Sequence, residues 1–470
     1  MNGSVGASGY KLNTINGGVS PDQVSRITGA VYATTLNVVG TGTVQLEGNS
    51  TVNVAYNADG TVKLLNGVNL NGTATTYADS KGTLTLSGAS EVTGQVGANG
   101  VKLGTINAGQ SGTSTFDSVV YANAMNVAGA GVINLGGNST IGTTTFNGQG
   151  TVNVGDGTVL TSTVKTSVNG QGTLTVGNAT VSGNVGESGK VFNTINGGAN
   201  TKTSTFNGDL FATKLNVTGA GTVALNGNST VDISYKNNGT VQVLGGKSIN
   251  GKLTNDSGTN NYGNLTLLGS SIVSGAVGVS GANLGTINAG VNGSTSSFND
   301  VIYANAMHVT GTGEVDLNGN STISSLVFDA NGKAVVAMNK TLTAAVSTSV
   351  WTDGGAGNGT LTLSGNSTLQ GSAGSANYRL NTVQGGETPG QTAKINGNVF
   401  VATAVNITGN GTIALGSGYT IDGEVTTATD GVGNLTLLGA STVNGQVGGA
   451  NKLNAVNAGF KHHFCKGVLA

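Results

Sequence analysis

The chain has 470 residues with a formal net charge of −1, and charged residues make up only 8% of it, against about a quarter in a typical soluble domain. Its 82 glycines do not recur at every third position and there are only 2 prolines, which excludes collagen. A hydrophobic fraction of 37% excludes a solvated linker. The chain has no basic stripe to bind nucleic acid, and its one cysteine, Cys465, excludes a disulfide framework.

Short alternating segments predict strands along the chain. The first of a recurring set, GTVQL, places apolar side chains at Val44 and Leu46 with Gln45 between them. Four later copies keep both apolar positions while the middle residue changes freely, as period-two geometry predicts for a strand with one buried face. These copies read GVINL, GTVAL, GEVDL and GTIAL.

Three motifs recur and define a repeat. The anchor motif, KLNTINGG in its first copy, is centred on Ile15, Ile106, Ile195, Ile287, Val383 and Val456. The second motif, ATTLNV in its first copy, is centred on Leu36, Met125, Leu215, Met307 and Val405. The third, GTLTL, is centred on Leu84, Leu174, Leu265, Leu361 and Leu435. The motifs share a period of about 90 residues, which is typical of stacked repeat architectures.

These observations predict an all-β fold, a right-handed parallel β-helix (β-solenoid) built from about five repeat units of about 90 residues. Coiling protects strand edges that a flat sheet would expose. With about 20 to 30 residues per coil, each unit supplies three or four coils. Stacking at about 4.8 Å predicts a rod of roughly 75 to 115 Å. The solenoid covers 1–459, and the repeats stop before an aberrant tail, 460–470.

Two polar patterns predict turns. Asn and Gly exchange at Asn13, Gly104, Asn193, Gly285, Asn381 and Asn454. This exchange predicts a positive φ at a corner of the coil. The sequence GNST recurs at Asn49, Asn138, Asn228 and Asn320. It matches a glycosylation acceptor, but bonds from the side chain to the backbone in a turn are the favoured interpretation.

Parallel β-helices include polysaccharide lyases and hydrolases, so an enzyme is the alternative hypothesis. Such sites need several acidic or basic side chains together on one outer face. The aspartates considered are scattered singly, mostly in turn contexts, which predicts structural roles: Asp59, Asp156, Asp316, Asp329 and Asp353. His308 replaces an Asn of the second motif, so it is interpreted as a varied repeat position. We therefore predict no catalytic residue, and a cluster of three or more charges on one face would favour the enzyme.

No cofactor or metal site is predicted. His462 and His463 lie beside Cys465, without the paired spacing of a zinc site. The GGxGxD motif of calcium-binding solenoids does not occur. Thr83 and Thr85 resemble the TxT pattern of ice-binding solenoids, but the motif returns only once per 90 residues. We therefore expect these TxT segments not to form a ladder on successive coils.

The segments GNLTLLGASTVNGQVGGANKLNAVNAG and GNLTLLGSSIVSGAVG resemble the passenger of rickettsial surface cell antigen autotransporters, of the outer membrane protein A and B type. The resemblance covers almost all of 1–459. It implies a non-catalytic passenger displayed on the outer membrane, with roles in surface-layer structure, adhesion to host cells and virulence. The implied partners are a host-cell surface protein or neighbouring surface-layer subunits, with no nucleic acid and no small-molecule substrate.

The chain departs from that family at both ends. It shows neither the family's signal peptide nor its C-terminal translocator barrel. We therefore expect a fragment of a passenger.

Overall fold

The computed structural model describes residues 1–350, 357–449 and 451–459, and these residues form strands and turns without a helix. The fold is a parallel β-solenoid, which confirms the predicted class. The chain divides into two compact units, Met1–Asp232 and Ile233–Ala470. The predicted tail, 460–470, lies outside the described residues.

The strands of the first unit are β1 (Leu12–Gly17), β2 (Val24–Ile27), β3 (Val31–Val38), β4 (Thr43–Leu46), β5 (Ser50–Tyr56), β6 (Thr61–Leu64), β7 (Leu70–Asn71), β8 (Ala74–Thr76), β9 (Lys81–Leu86), β10 (Ser90–Val92), β11 (Leu103–Ala108), β12 (Thr113–Phe116), β13 (Val120–Val127), β14 (Val132–Leu135), β15 (Ser139–Phe146), β16 (Thr151–Val154), β17 (Val159–Thr166), β18 (Gln171–Val176), β19 (Thr180–Val181), β20 (Phe192–Gly197), β21 (Thr203–Phe206), β22 (Leu210–Val217) and β23 (Thr222–Leu225).

The unit boundary falls within β24 (Ser229–Tyr235). The strands that follow are β25 (Thr240–Val243), β26 (Ser248–Asn250), β27 (Leu253–Asn255), β28 (Asn264–Leu267), β29 (Ser271–Val273), β30 (Leu284–Ala289), β31 (Thr295–Phe298), β32 (Ile302–Val309), β33 (Glu314–Leu317), β34 (Ser321–Phe328), β35 (Lys333–Val336), β36 (Thr341–Thr348), β37 (Thr360–Leu363), β38 (Thr368–Gln370), β39 (Leu380–Gly385), β40 (Thr392–Asn396), β41 (Val399–Ile407), β42 (Thr412–Leu415), β43 (Thr420–Asp422), β44 (Val425–Thr427), β45 (Asn434–Leu437), β46 (Thr442–Val443) and β47 (Ala455–Ala458).

Strands of successive coils pair in parallel, so equivalent residues stack in columns. In the first unit Leu36 pairs with Val54, 18 residues further along the chain. In the second unit Ala334 pairs with Leu361, 27 residues further along. Coil length therefore varies along the chain.

The predicted inward positions form the core. Leu36 and Leu84 have no exposed surface. In β4 the side chains of Val44 and Leu46 are buried while Gln45 between them is half-buried on the outer side. The alternation in the sequence therefore identified the inner face correctly.

Successive copies of the anchor motif in the first unit lie on different faces of the coil. From Ile15 one column runs through Leu36, Val54, Ala74 and Val96, one residue per coil. The next anchor strand, β11, follows Val96 on the adjacent face, in the column of Leu84. Between one anchor motif and the next, the chain thus completes four coils and then advances by one further face. This is slightly more than the three or four coils expected.

The prediction of positive φ at the Asn/Gly positions is wrong. None of these six residues has a positive φ, and five of them lie within strands. A Cβ on Gly104 would lie 2.8 Å from the carbonyl oxygen of Ser80, on the preceding coil. Glycine is present there because the neighbouring backbone approaches closely, which is the other common reason for glycine in a strand.

Positive φ occurs instead at the first glycine of the third motif. It has this conformation in every copy: Gly82, Gly172, Gly263, Gly359 and Gly433. In four copies the glycine lies on an aromatic ring of the preceding coil. A Cβ on Gly172 would be 2.6 Å from the ring of Phe146, which also packs edge-to-face on Phe192 with centroids 4.8 Å apart.

Two of the rings under these glycines belong to fully buried tyrosines, Tyr56 and Tyr235. Their hydroxyls donate hydrogen bonds to the carbonyl oxygens of Thr83 at 2.9 Å and of Asn264 at 2.8 Å, on the following coil. Burial raises the pKa of both tyrosines far above its usual range, because the phenolate would lose its hydration.

We expect Gly172→Ala to destabilise the first unit by about 3 kcal/mol. About 1–2 kcal/mol comes from placing a side chain at positive φ and about 1–3 from overpacking against Phe146. Gly170→Ala is the matched control, because Gly170 also has positive φ but a Cβ there would meet nothing within 4 Å. Chemical unfolding followed by circular dichroism measures both variants, and equal losses would contradict the steric argument.

We expect the solenoid to lose stability as the pH rises above about 10, the ordinary pKa of tyrosine. The folded-state pKa of Tyr56 and Tyr235 lies above the unfolded value, so their contribution is complete below pH 10 and falls above it. Tyr235→Phe should flatten this decline and cost about 1 kcal/mol at neutral pH through the lost hydrogen bond. The exposed Tyr77, changed to Phe, should leave the unfolding profile unchanged.

Candidate functional site

Threonines stack in one column on the outer surface of the first unit. Thr43, Thr61, Thr83 and Thr105 pair in register on four successive coils. The column continues through Ala124 to Thr143 and Thr163. Threonines from unrelated motifs fill this column between two GTLTL segments. Thr85, the second threonine of the TxT pattern, lies between Lys63 and Asn107, so the two threonines do not form a TxT ladder.

Asparagines of the first and second motifs form a second kind of outer contact. The side-chain amide of Asn37 donates to the side-chain oxygen of Asn16 at 2.9 Å. Equivalent bonds at 2.8 and 2.9 Å join Asn126 to Asn107 and Asn216 to Asn196. His308 occupies this position in the second unit, and its Nδ1 lies 3.0 Å from Oδ2 of Asp329.

The GNST serines bond to the backbone of their own turn, as favoured, since Oγ of Ser50 donates to the carbonyl oxygen of Gly48 at 2.9 Å. The GNST asparagines bond to the backbone of the next coil. Oδ1 of Asn49 accepts from the backbone N–H of Asn69, and Oδ1 of Asn138 from that of Val159, both at 2.9 Å. The serine that follows is buried, with Ser50 only 1% exposed. These asparagines therefore link coils.

The same linking role accounts for two of the aspartates. Oδ1 of Asp59 accepts from the backbone N–H of Gly82 at 2.9 Å, and this bond is the main reason that the pKa of Asp59 is lowered. Asn238 and Asn331 accept the equivalent bond from later copies of that glycine. Because a neutral amide replaces the carboxylate, this position does not require its charge.

Asp156 likewise accepts from the backbone N–H of Asn178 at 2.8 Å and pairs with Lys202. The Lys202 ammonium, followed by the Asn178 bond, lowers the pKa of Asp156. Asp353, the remaining aspartate in a turn context, lies outside the described residues.

Three charged side chains gather on one outer face of the second unit, where the sequence suggested only the isolated Asp316. Glu314 and Asp316 point outward from β33, and Nζ of Lys333 on the next coil lies 3.2 Å from Oε2 of Glu314. The hydroxyl of Ser297 donates to Oδ2 of Asp316 at 2.9 Å. Burial, reinforced by the Glu314 carboxylate, raises the pKa of Asp316.

Sequence reasoning also missed a carboxylate pair in the first unit. The pKa of Glu91 is raised, chiefly because it shares a hydrogen bond and negative charge with Asp117. Asn69 donates to Oε2 of Glu91 at 3.2 Å. The two residues are far apart in the chain and belong to neighbouring coils, so only knowledge of the coil length could have paired them.

Within the described residues no three His, Cys, Asp or Glu side chains could together hold a metal ion. His462, His463 and Cys465 lie outside that part of the chain. The described residues also contain no helix that could cross a membrane.

The fold defines this chain as a parallel β-solenoid protein. No protein family, curated protein or solved structure matches it.

Proposed function

We propose that this chain is a non-catalytic passenger segment of a bacterial autotransporter, displayed at the cell surface, where it acts in surface-layer structure and adhesion to host cells. The observation that carries the proposal is the outer surface of stacked Thr and Asn side chains. Such a surface offers many weak hydrogen-bonding positions over several coils and suits broad contact better than the enclosure of a small substrate. The resemblance to surface cell antigen passengers supports the same role.

The distribution of charge agrees with this proposal. Only 8% of the residues are charged, and Asp59 and Asp156 are engaged in bonds between coils. Contacts made by such a surface depend little on long-range electrostatics and therefore little on salt.

We expect the purified chain to bind cultured host cells saturably, with less than about a twofold change in affinity when salt is raised from about 0.15 to about 0.5 M, because exposed charges contribute little. Flow cytometry with labelled protein measures the binding, and chemically unfolded protein is the control. Absence of saturable binding, together with absence of antibody labelling on the surface of expressing bacteria, would refute the proposal.

A second candidate, a carbohydrate-active β-helix lyase or hydrolase, is favoured by one observation, the cluster of Glu314, Asp316 and Lys333. It contains two carboxylates and a cation on one outer face, which are the residue types that such chemistry uses. However, the ion pair between Lys333 and Glu314 occupies both groups.

We expect the chain not to release reducing or unsaturated sugar ends from polysaccharides. If turnover is observed, Asp316→Asn should abolish it in an enzyme that uses this cluster, while Asp59→Asn, which changes a carboxylate that links coils, should not. Loss of turnover in the first variant alone, with an unchanged circular dichroism spectrum, would establish the enzyme hypothesis over the proposed one.

A further inference from the structure

Short two-residue hairpins project from the solenoid just before the anchor strands. In the first unit they span 7–10, 98–101 and 187–190, and each is closed by a pair of backbone hydrogen bonds such as those between Glu187 and Lys190 at 3.2 and 3.0 Å. All four residues of 7–10 and of 187–190 are exposed. We call these three segments the corner hairpins.

Each corner hairpin leaves the coil at a different corner. The residues that precede them, Val5, Val96 and Val185, pair with Val31, Ala74 and Val164 respectively, and these belong to three separate columns. This follows from the anchor interval of four coils and one face. The first unit therefore presents one hairpin in each of three directions around its axis.

This distribution suits contacts with several neighbours. If the hairpins bound a single partner surface, an interval of whole coils would place them all on one face. The interval found here does the opposite, and a molecule within a layer has neighbours on more than one side.

Hairpin 187–190 has a charge pattern that fits a second copy of itself. Glu187 and Lys190 are exposed on its opposite arms, and neither forms an ion pair within the described part of the chain. In a two-fold contact the same surface meets itself, so opposite charges on its two arms become complementary.

We propose that a second copy of this chain docks at the corner hairpins, and that hairpin 187–190 makes a two-fold contact in which Glu187 of each copy faces Lys190 of the other. This inference rests on the proposed surface-layer function and names the partner within it. One hairpin buries little area, so a single contact is weak. Once one contact holds two molecules side by side, the other contacts form at a high effective concentration, so weak contacts at three corners together give stable association.

Charge exchange tests the two-fold contact. We expect Glu187→Lys and Lys190→Glu each to weaken self-association by about tenfold, because each replaces two attractive charge pairs with repulsive ones. An equimolar mixture of the two variants should associate again, since one hairpin is then wholly positive and the other wholly negative. The double variant should also recover. Sedimentation velocity over a concentration series at low salt measures all four samples.

Asp22→Lys is the matched control, because it makes the same change in charge at an exposed turn residue that belongs to none of the three hairpins. It should leave self-association within about twofold of the unchanged chain. Failure of the mixture to recover association, or an equal loss in Asp22→Lys, would overturn the inference. If saturable cell binding persists in that case, the proposed function stands and only the hairpin contact is refuted.

Discussion

The parallel register between coils is the constraint on which the rest of the structure depends. Most described strands bond to the coils on either side of them, so a residue that points inward in one coil stacks on inward residues of its neighbours. The column through Leu36, Val54 and Ala74 illustrates this, since all three are fully buried. A displacement of one residue would reverse every side chain of a strand, which makes the inner positions the most restricted in the sequence.

The same constraint explains what could be predicted. Alternation along GTVQL identifies Val44 and Leu46 as inward without knowledge of the coil, because the period of two belongs to the strand itself. The Thr column and the pair Glu91 and Asp117 depend on which coils are neighbours, and the sequence motifs repeat at about 90 residues instead of at the coil length. The sequence wrongly predicted a positive φ at Gly104. Glycine at such a position indicates either a positive φ or a close approach of the neighbouring backbone, and the structure shows the close approach.

Polar side chains in this fold hold coils together as much as they face solvent. Asp59, Asn238 and Asn331 perform one task, accepting a bond from the positive-φ glycine of the next coil. A carboxylate in such a position is a poor indicator of chemistry. The cluster at Asp316 differs because its two carboxylates point outward from a strand, and burial together with the Glu314 carboxylate raises the pKa of Asp316. It is therefore the position where the enzyme hypothesis can be tested.

Length changes in the repeat follow from the coil. In the second unit the column of Val383 continues through Val405, Val425 and Val447, and the strand containing Val456 comes next in the chain, on the adjacent face. This last interval spans three coils and one face, one coil fewer than the interval from Ile15 to Ile106. If a whole coil is removed, every inward-pointing residue still stacks on inward-pointing residues. If part of a coil is removed, all residues after the deletion lose their place in the columns. The step of one face therefore survives such a change.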